Sequence, residues 1–160
     1  REGIDVLVEC IEKNFDGKLD ILVNNVGTNT RKKSEDFCDE EYDGLMQTNL
    51  HSAFHLSRRC LQFLSASAHD CKRDARSRAG GCVVNIGSIS GETVDNTGCP
   101  YHMAKAALNH MTRYLACEWG PSPHCVRVNC VAPWFIRTPL TEPILKGPFA
   151  SAVNEATPLR

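Results

Sequence analysis

The sequence lacks the features that mark membrane, metal-binding and disulfide-stapled proteins. No apolar run approaches the ~18–20 residues needed to span a bilayer, so no membrane partner is expected. The nine cysteines are odd in number, and no two stand as Cys-x-x-Cys. The six histidines are scattered without ligand spacing. Neither a disulfide framework nor a metal site is therefore expected, and reduced thiols point to the cytoplasm. Net charge is only −1 and both signs are mixed, which leaves no basic tract for nucleic acid. The densest charge run, His69 to Arg78, sets Lys72, Arg73, Arg76 and Arg78 against Asp70 and Asp74, and reads as a solvated loop. No internal repeat or low-complexity segment occurs. Also missing is the glycine-rich turn that cradles a dinucleotide pyrophosphate: neither Gly-x-Gly-x-x-Gly nor Gly-x-x-x-Gly-x-Gly is found. The chain opens Arg1-Glu2-Gly3, without Met or a basic-then-apolar leader, and reads as an internal piece of a longer protein.

What is present is a regular alternation of helix and strand patterns in one domain, residues 1–160. Ile4, Leu7, Val8, Ile11 and Phe15 have amphipathic-helix spacing, and Asp16-Gly17 ends it. Asp20 to Asn24 is a short apolar run of the kind buried in parallel sheets. Asp39 is the expected N-cap of a long helix with the stripe Tyr42, Leu45, Met46, Asn49, Ala53, Leu56, Cys60, Leu61 and Leu64. A long polar loop is expected from Ser65 to Gly81, then a second strand from Cys82 to Ile86. Pro100 suits the first turn of a third helix. Its stripe is Tyr101, Ala104, Lys105, Leu108, Met111, Thr112, Leu115 and Trp119. A third strand runs from Val126 to Val131, and the Pro- and Thr-rich remainder reads as irregular or short helix. Cys10, Cys60, Cys82, Cys117 and Cys130 fall at positions that read as buried.

Strands separated by helices imply an α/β fold: a Rossmann-like, doubly wound parallel sheet with helices on both faces, of which about three strands are present. In such sheets ligands bind beyond the carboxyl ends of the strands. That brings together three loops, Asn25 to Arg31, Gly87 to Gly98 and Ala132 to Thr141.

Two positions break the apolar stripes. Asn49 lies among Leu45, Met46, Ala53 and Leu56, where a helix-bracing Asn and a functional one are equally compatible with the pattern. Tyr101 and Lys105, four residues apart, share one helix face. A buried amine is costly unless paired. Taken alone, the pair also suits a lysine whose stem packs on the core while its head reaches water. It does not stand alone, because Ser88 follows the second strand and Asn24-Asn25-Val26-Gly27 closes the first.

Leu22 to Gly27, Asn49, Asn85-Ile86-Gly87-Ser88, Tyr101-x-x-x-Lys105 and Val131-Ala132-Pro133, in this order, resemble the successive motifs of the classical short-chain dehydrogenase/reductase family. Gly27 to Lys32 and Ala132 to Leu140, with Trp134 after Pro133, resemble its tropinone reductase-like branch. The resemblance implies an NAD(P)-dependent oxidoreductase acting on a small ketone or secondary alcohol, with NADP by analogy to the branch. It assigns Tyr101 as general acid/base, aided by the positive charge of Lys105. Lys105 also holds the nicotinamide ribose, Ser88 the substrate oxygen, and Asn49 a water that connects Lys105 to solvent. Asn24, Val26 and Gly27 pass the cofactor ribose; Pro133, Trp134, Ile136 and Thr138 line its nicotinamide end. Val26 stands for a usual Ala, and Gly87 for a usual Ser, a change expected to matter little.

Two alternatives share parts of the pattern. A truncated remnant would keep the helices without the cofactor site. A sugar-nucleotide epimerase shares Tyr-x-x-x-Lys, but Asn24 to Gly27 and the short spacing after Pro133 argue against it. Phe54, Ala106, Ala107 and Tyr114 lie off the sheet-facing stripes. A second apolar face needs a cover, and the resemblance supplies one, a two-fold helix pairing of residues ~40–65 and ~100–120 in a homodimer or homotetramer.

Overall fold

A computed structural model describes residues 2–69, 80–95, 98–121 and 123–158 of the chain. Three parallel strands form one sheet in the order β1 (Ile21–Asn24), β2 (Cys82–Ile86), β3 (Arg127–Val131). The register pairs Asn24 with Asn85 and Asn85 with Cys130, so the three strands end level with one another. Helix α1 (Glu2–Asn14) precedes β1; α2 (Asp39–Met46) and α3 (Ser52–His69) lie between β1 and β2; α4 (Cys99–Trp119) lies between β2 and β3. Two short helices, α5 (Glu142–Leu145) and α6 (Ala150–Glu155), follow β3. The parallel α/β arrangement is the expected one, with the expected cause, but among the described residues the helices pack on one face of the sheet rather than on both. Each strand is too short and apolar to stand alone, and each crossover helix returns its apolar stripe to the sheet.

The core is continuous. Val8 of α1, Cys60, Phe63 and Leu64 of α3, and Leu115 and Trp119 of α4 meet Val83 of β2 and Val128 of β3. The alternate strand positions point the other way: Ile21, Val23 and Val131 are more than half exposed, at 61%, 53% and 52%. The period-two alternation of a strand thus gives this sheet one face packed under α1, α3 and α4 and an opposite face rich in exposed apolar side chains.

Several boundaries and burials differ from expectation. The cap of α2 is Cys38, whose backbone N–H donates to Glu41 at 3.1 Å. Asp39 instead opens the first turn, where its charge suits the helix dipole. The long helix is not uniform. Between α2 and α3 the residues Gln47–His51 form one π turn, a local widening common at functional positions. Helix α3 runs on to His69, so no loop starts at Ser65. The proposed solvated loop beyond it, with Cys71, lies outside the described residues. Leu7 of α1 and Phe15 just beyond its end are exposed, because only the Ile4, Val8 and Ile11 line faces α3 and the sheet. Cys60 and Cys82 are buried, but Cys10 and Cys117 are exposed and Cys130 is half-buried, since helix faces away from the sheet carry small residues at no cost.

A polar ladder crosses this core. Asn24 Nδ2 donates to Ser57 Oγ of α3 at 2.9 Å and to Asn85 Oδ1 at 2.8 Å. Asn85 Nδ2 donates to Thr112 Oγ1 of α4 at 2.9 Å, and Thr112 Oγ1 donates to Leu108 O at 2.8 Å. Buried polar groups persist only when satisfied, and this chain satisfies its own members while tying both long helices to the strand ends. Among the described residues no helix is long and apolar enough to cross a membrane.

Candidate active site

The level strand ends bring the three expected loops together. A cleft of about 80 Å³ is lined by Asn29 and Arg31 from the first, Ser88 and Asp95 from the second with Tyr101 of α4, and Trp134 from the third. Ser88 sits two residues beyond β2 and is buried. Its Oγ accepts the Ser90 N–H at 3.1 Å. Ser90 Oγ donates to Asp95 Oδ2 at 2.9 Å. Asp95 Oδ1 lies 3.2 Å from His102 Nε2, and His102 Nδ1 lies 3.0 Å from Gly98 O. The loop that carries Ser88 is thus braced back onto α4, one residue past Tyr101.

Lys105 is the most unusual residue of the site. It is 4% exposed, and its Nζ donates to the backbone carbonyl of Ile86 at 2.8 Å and lies 5.7 Å from the centroid of the Tyr101 ring. Burial pulls its pKa below the usual lysine range, and the nearby Cys130 opposes that shift. An ammonium has three donors; among the described residues only Ile86 takes one of them.

Asn49 closes the other side. It is 1% exposed, in the π turn. Its Nδ2 donates to Leu45 O at 2.9 Å and Thr28 O at 3.0 Å, and its Oδ1 accepts the Thr28 N–H at 3.1 Å. These bonds brace the helix of Asn49 and pin the loop after β1. A Cβ added at Gly27 would lie 3.1 Å from Asn49 Oδ1 and 3.6 Å from Lys105 Nζ, so this loop passes directly over the amine because it has no side chain there. Val26 is exposed, as are Trp134, Ile136 and Thr138, while Pro133 is half-buried. Asn24, by contrast, spends its amide inside the polar ladder.

Gly87 is a tighter position than expected. A Cβ there would meet Cys130 Sγ at 2.6 Å and Asn109 Oδ1 at 2.7 Å, so the family's usual Ser does not fit beside this cysteine. Cys130 Sγ itself donates to Asn109 Oδ1 at 3.2 Å, and burial pushes its thiol pKa up.

Sequence reasoning missed Arg31, Asp95, His102, Phe135 and Phe149, which line or brace the cleft and the cavity beside it. Asp95 and His102 carry no spacing signal, because a loop and a helix bring them together. Among the described residues no His, Cys, Asp or Glu cluster could hold a metal.

The family model for the short chain dehydrogenases matches residues 1–148. The chain belongs to that family. Two tropinone reductase homologs from Arabidopsis thaliana, one of them chloroplastic, are 43% and 38% identical to it over 99% of the chain, which covers 56% and 46% of their lengths. A putative gluconate dehydrogenase from Agrobacterium tumefaciens superposes with a TM-score of 0.81 at 28% identity, over 97% of this chain and 56% of that one. The chain spans about half the length of the curated relatives it matches. The parallel sheet and its crossover helices are therefore the Rossmann-like fold of short chain dehydrogenases, and the loops beyond the strand ends are their ligand-facing edge.

Proposed function

We propose that the protein of which this chain is part is an NAD(P)-dependent oxidoreductase that interconverts a small ketone and its secondary alcohol. One observation carries the reading: a buried ammonium, Lys105, held by Ile86 O beneath the Tyr101 ring at a cleft that Ser88 and Tyr101 both line. A lysine so placed for packing alone would bury its charge at a cost of several kcal/mol without return.

The residues fit the nicotinamide end of the cofactor. Lys105 has donors left for a ribose diol. The loop of Asn24, Val26 and Gly27 leaves a cradle that a Cβ at Gly27 would fill. Pro133, Trp134, Ile136 and Thr138 stand at the third loop, on the nicotinamide side. No residue of this chain is assigned to the pyrophosphate, for want of a glycine-rich turn. NADP is the form proposed, by analogy with the tropinone reductase-like relatives.

When bound, the nicotinamide supplies or takes the hydride. In the reducing direction Ser88 Oγ donates to the ketone oxygen and orients it. The Tyr101 hydroxyl gives its proton to that oxygen as the carbonyl carbon is reduced, and the Lys105 charge stabilises the phenolate left behind. The proton returns from solvent past Lys105, with a water on the remaining lone pair of Asn49 Oδ1. General acid catalysis of this kind contributes roughly 10²–10⁴-fold.

The partners proposed are a small carbonyl or alcohol substrate and a second copy of the protein. Phe54 and Tyr114 are exposed on α3 and α4, and the small Ala106 lies exposed between them in sequence, which suits close two-fold helix pairing. The cytoplasm is the compartment proposed, from free cysteines.

The test is Tyr101→Phe in the whole protein, read by reduced-nicotinamide absorbance. Activity should fall by roughly 10³-fold with cofactor affinity largely kept. Undiminished turnover in the Phe variant would overturn the role of Tyr101.

A further inference from the structure

His102 follows Tyr101 on α4 but takes no part in the chemistry proposed above, and its side chain is only 15% exposed. Its Nδ1 lies 3.0 Å from Gly98 O. A carbonyl only accepts, so Nδ1 carries a hydrogen. Its Nε2 meets two groups of Asp95, carboxylate Oδ1 at 3.2 Å and backbone N at 3.2 Å. One ring nitrogen cannot serve both. When protonated, Nε2 donates to Oδ1 in an ion pair. When neutral, its lone pair accepts the Asp95 N–H and faces the carboxylate as acceptor against acceptor. The proton on His102 therefore decides which group of Asp95 the ring holds.

Asp95 passes that choice on. Its Oδ2 accepts from Ser90 Oγ at 2.9 Å, and the Ser90 N–H donates to Ser88 Oγ at 3.1 Å. Both serines are buried. The Ser90 N–H takes a lone pair of Ser88 Oγ, which leaves the Ser88 hydroxyl hydrogen for a ligand in the cleft that Ser88 lines. The groups around the ring act on its charge in opposite senses. Asp95 favours the proton. Arg31, Lys32 and Lys33 line one cavity with His102 and the Cys99 thiol, and oppose it. Two of these three are themselves paired, Lys32 with Glu41 and Lys33 with Glu35 at 3.8 Å. The Tyr101 ring stands edge-on, its centroid 6.4 Å away.

We propose that His102 and Asp95 are positioning residues for Ser88: the proton on His102 draws in the Asp95 carboxylate, and Ser90 transmits that hold to the hydroxyl that orients the ketone oxygen. The inference rests on the catalytic reading of Ser88, so one arm of its test needs no turnover. In the whole protein, a heteronuclear NMR titration from about pH 5 to 8 spans the usual change of histidine charge. The Ser88 and Ser90 amide resonances should follow the His102 ring in wild type. They should lose that titration in His102→Gln, whose side-chain N–H donates to Asp95 at every pH. The second arm is the single-turnover rate of hydride transfer from NADPH to cyclohexanone. Asp95→Ala should slow it by about 10-fold or more, and Asp95→Asn, which still accepts from Ser90, should restore most of the loss. In a Ser88→Ala background Asp95→Ala should cost less than about 2-fold, because the group it positions is gone. A merely structural role would cost as much there as in wild type. Relative to His102→Gln, the wild-type rate should fall as pH rises through the His102 titration. Serine amides that ignore that titration, an unchanged rate in Asp95→Ala, or a loss as large without Ser88 as with it would overturn the proposal. Serine amides that follow His102 in a protein that reduces no ketone would leave the relay standing and remove the catalytic reading instead.

Discussion

Gly87 is the point where the site tolerates least. Its φ is not in the left-handed region, so Gly87→Ala adds no backbone strain and the effect is steric. The new Cβ would stand 2.6 Å from Cys130 Sγ and 2.7 Å from Asn109 Oδ1, about 1 Å inside ordinary contact distance for each. Neither neighbour is free to move. Cys130 Sγ holds Asn109 at 3.2 Å, and Asn109 Nδ2 holds Glu92 at 2.9 Å. The backbone cannot retreat without loss either, because Gly87 N–H donates to Val131 O at 2.8 Å, a bond worth about 1 kcal/mol net. Overpacking of this kind costs ~1–3 kcal/mol, so we expect about 2–3 kcal/mol, or roughly 4–12 °C in Tm for a chain of this size. Thermal and urea melts by circular dichroism read it. In a Cys130→Ala background one of the two clashes is gone, and Gly87→Ala should cost about 1 kcal/mol less. A single Gly87→Ala variant within about 0.5 kcal/mol of wild type, or a cycle with no coupling, would refute the argument.

Three further outcomes follow from the same structure. Asn85→Ala removes one of two partners from Asn24 Nδ2 and from Thr112 Oγ1, which keep Ser57 Oγ and Leu108 O, and should destabilise by about 1–3 kcal/mol, measured by urea unfolding; a loss under about 0.5 kcal/mol would show that the ladder is replaceable. Lys105→Met removes an ammonium whose pKa burial depresses, so folding at neutral pH bears the cost of the buried charge. The variant should be more stable by about 1–3 kcal/mol, with the advantage fading as pH rises toward the unfolded lysine value near ~10.4, and destabilisation would contradict this. Glu41 is held down to about 2 by the Lys32 ammonium and the Cys38 N–H. A depressed carboxylate stabilises above its unfolded pKa of ~4.3. The stability gap between wild type and Glu41→Gln should therefore be full above pH ~5 and close as pH falls toward 2; a pH-independent gap would rule the pair out as its source.

The sequence was sufficient for what depends on local pattern and order. Short apolar runs and period-3.6 spacing placed three strands and three long helices, and the fixed rule that ligands meet the carboxyl ends of parallel strands brought the loops after Asn24 and before Tyr101, with Ser88, to one edge. Lys105 was legible as a charge on an apolar stripe. What escaped was decided by contacts between segments far apart in the chain. Asn49 lies in a π turn and bonds Thr28, 21 residues away. The tightness of Gly87 comes from Cys130 on the neighbouring strand. The bracing of the Ser88 loop comes from Asp95 meeting His102. The burial of the described cysteines depends on which faces meet the sheet, and the cavity beside the cleft exists only where the α5 and α6 region stands beside Trp134 and Phe135. Spacing along a chain fixes which face a residue takes, but distance and partner are set only when the faces meet.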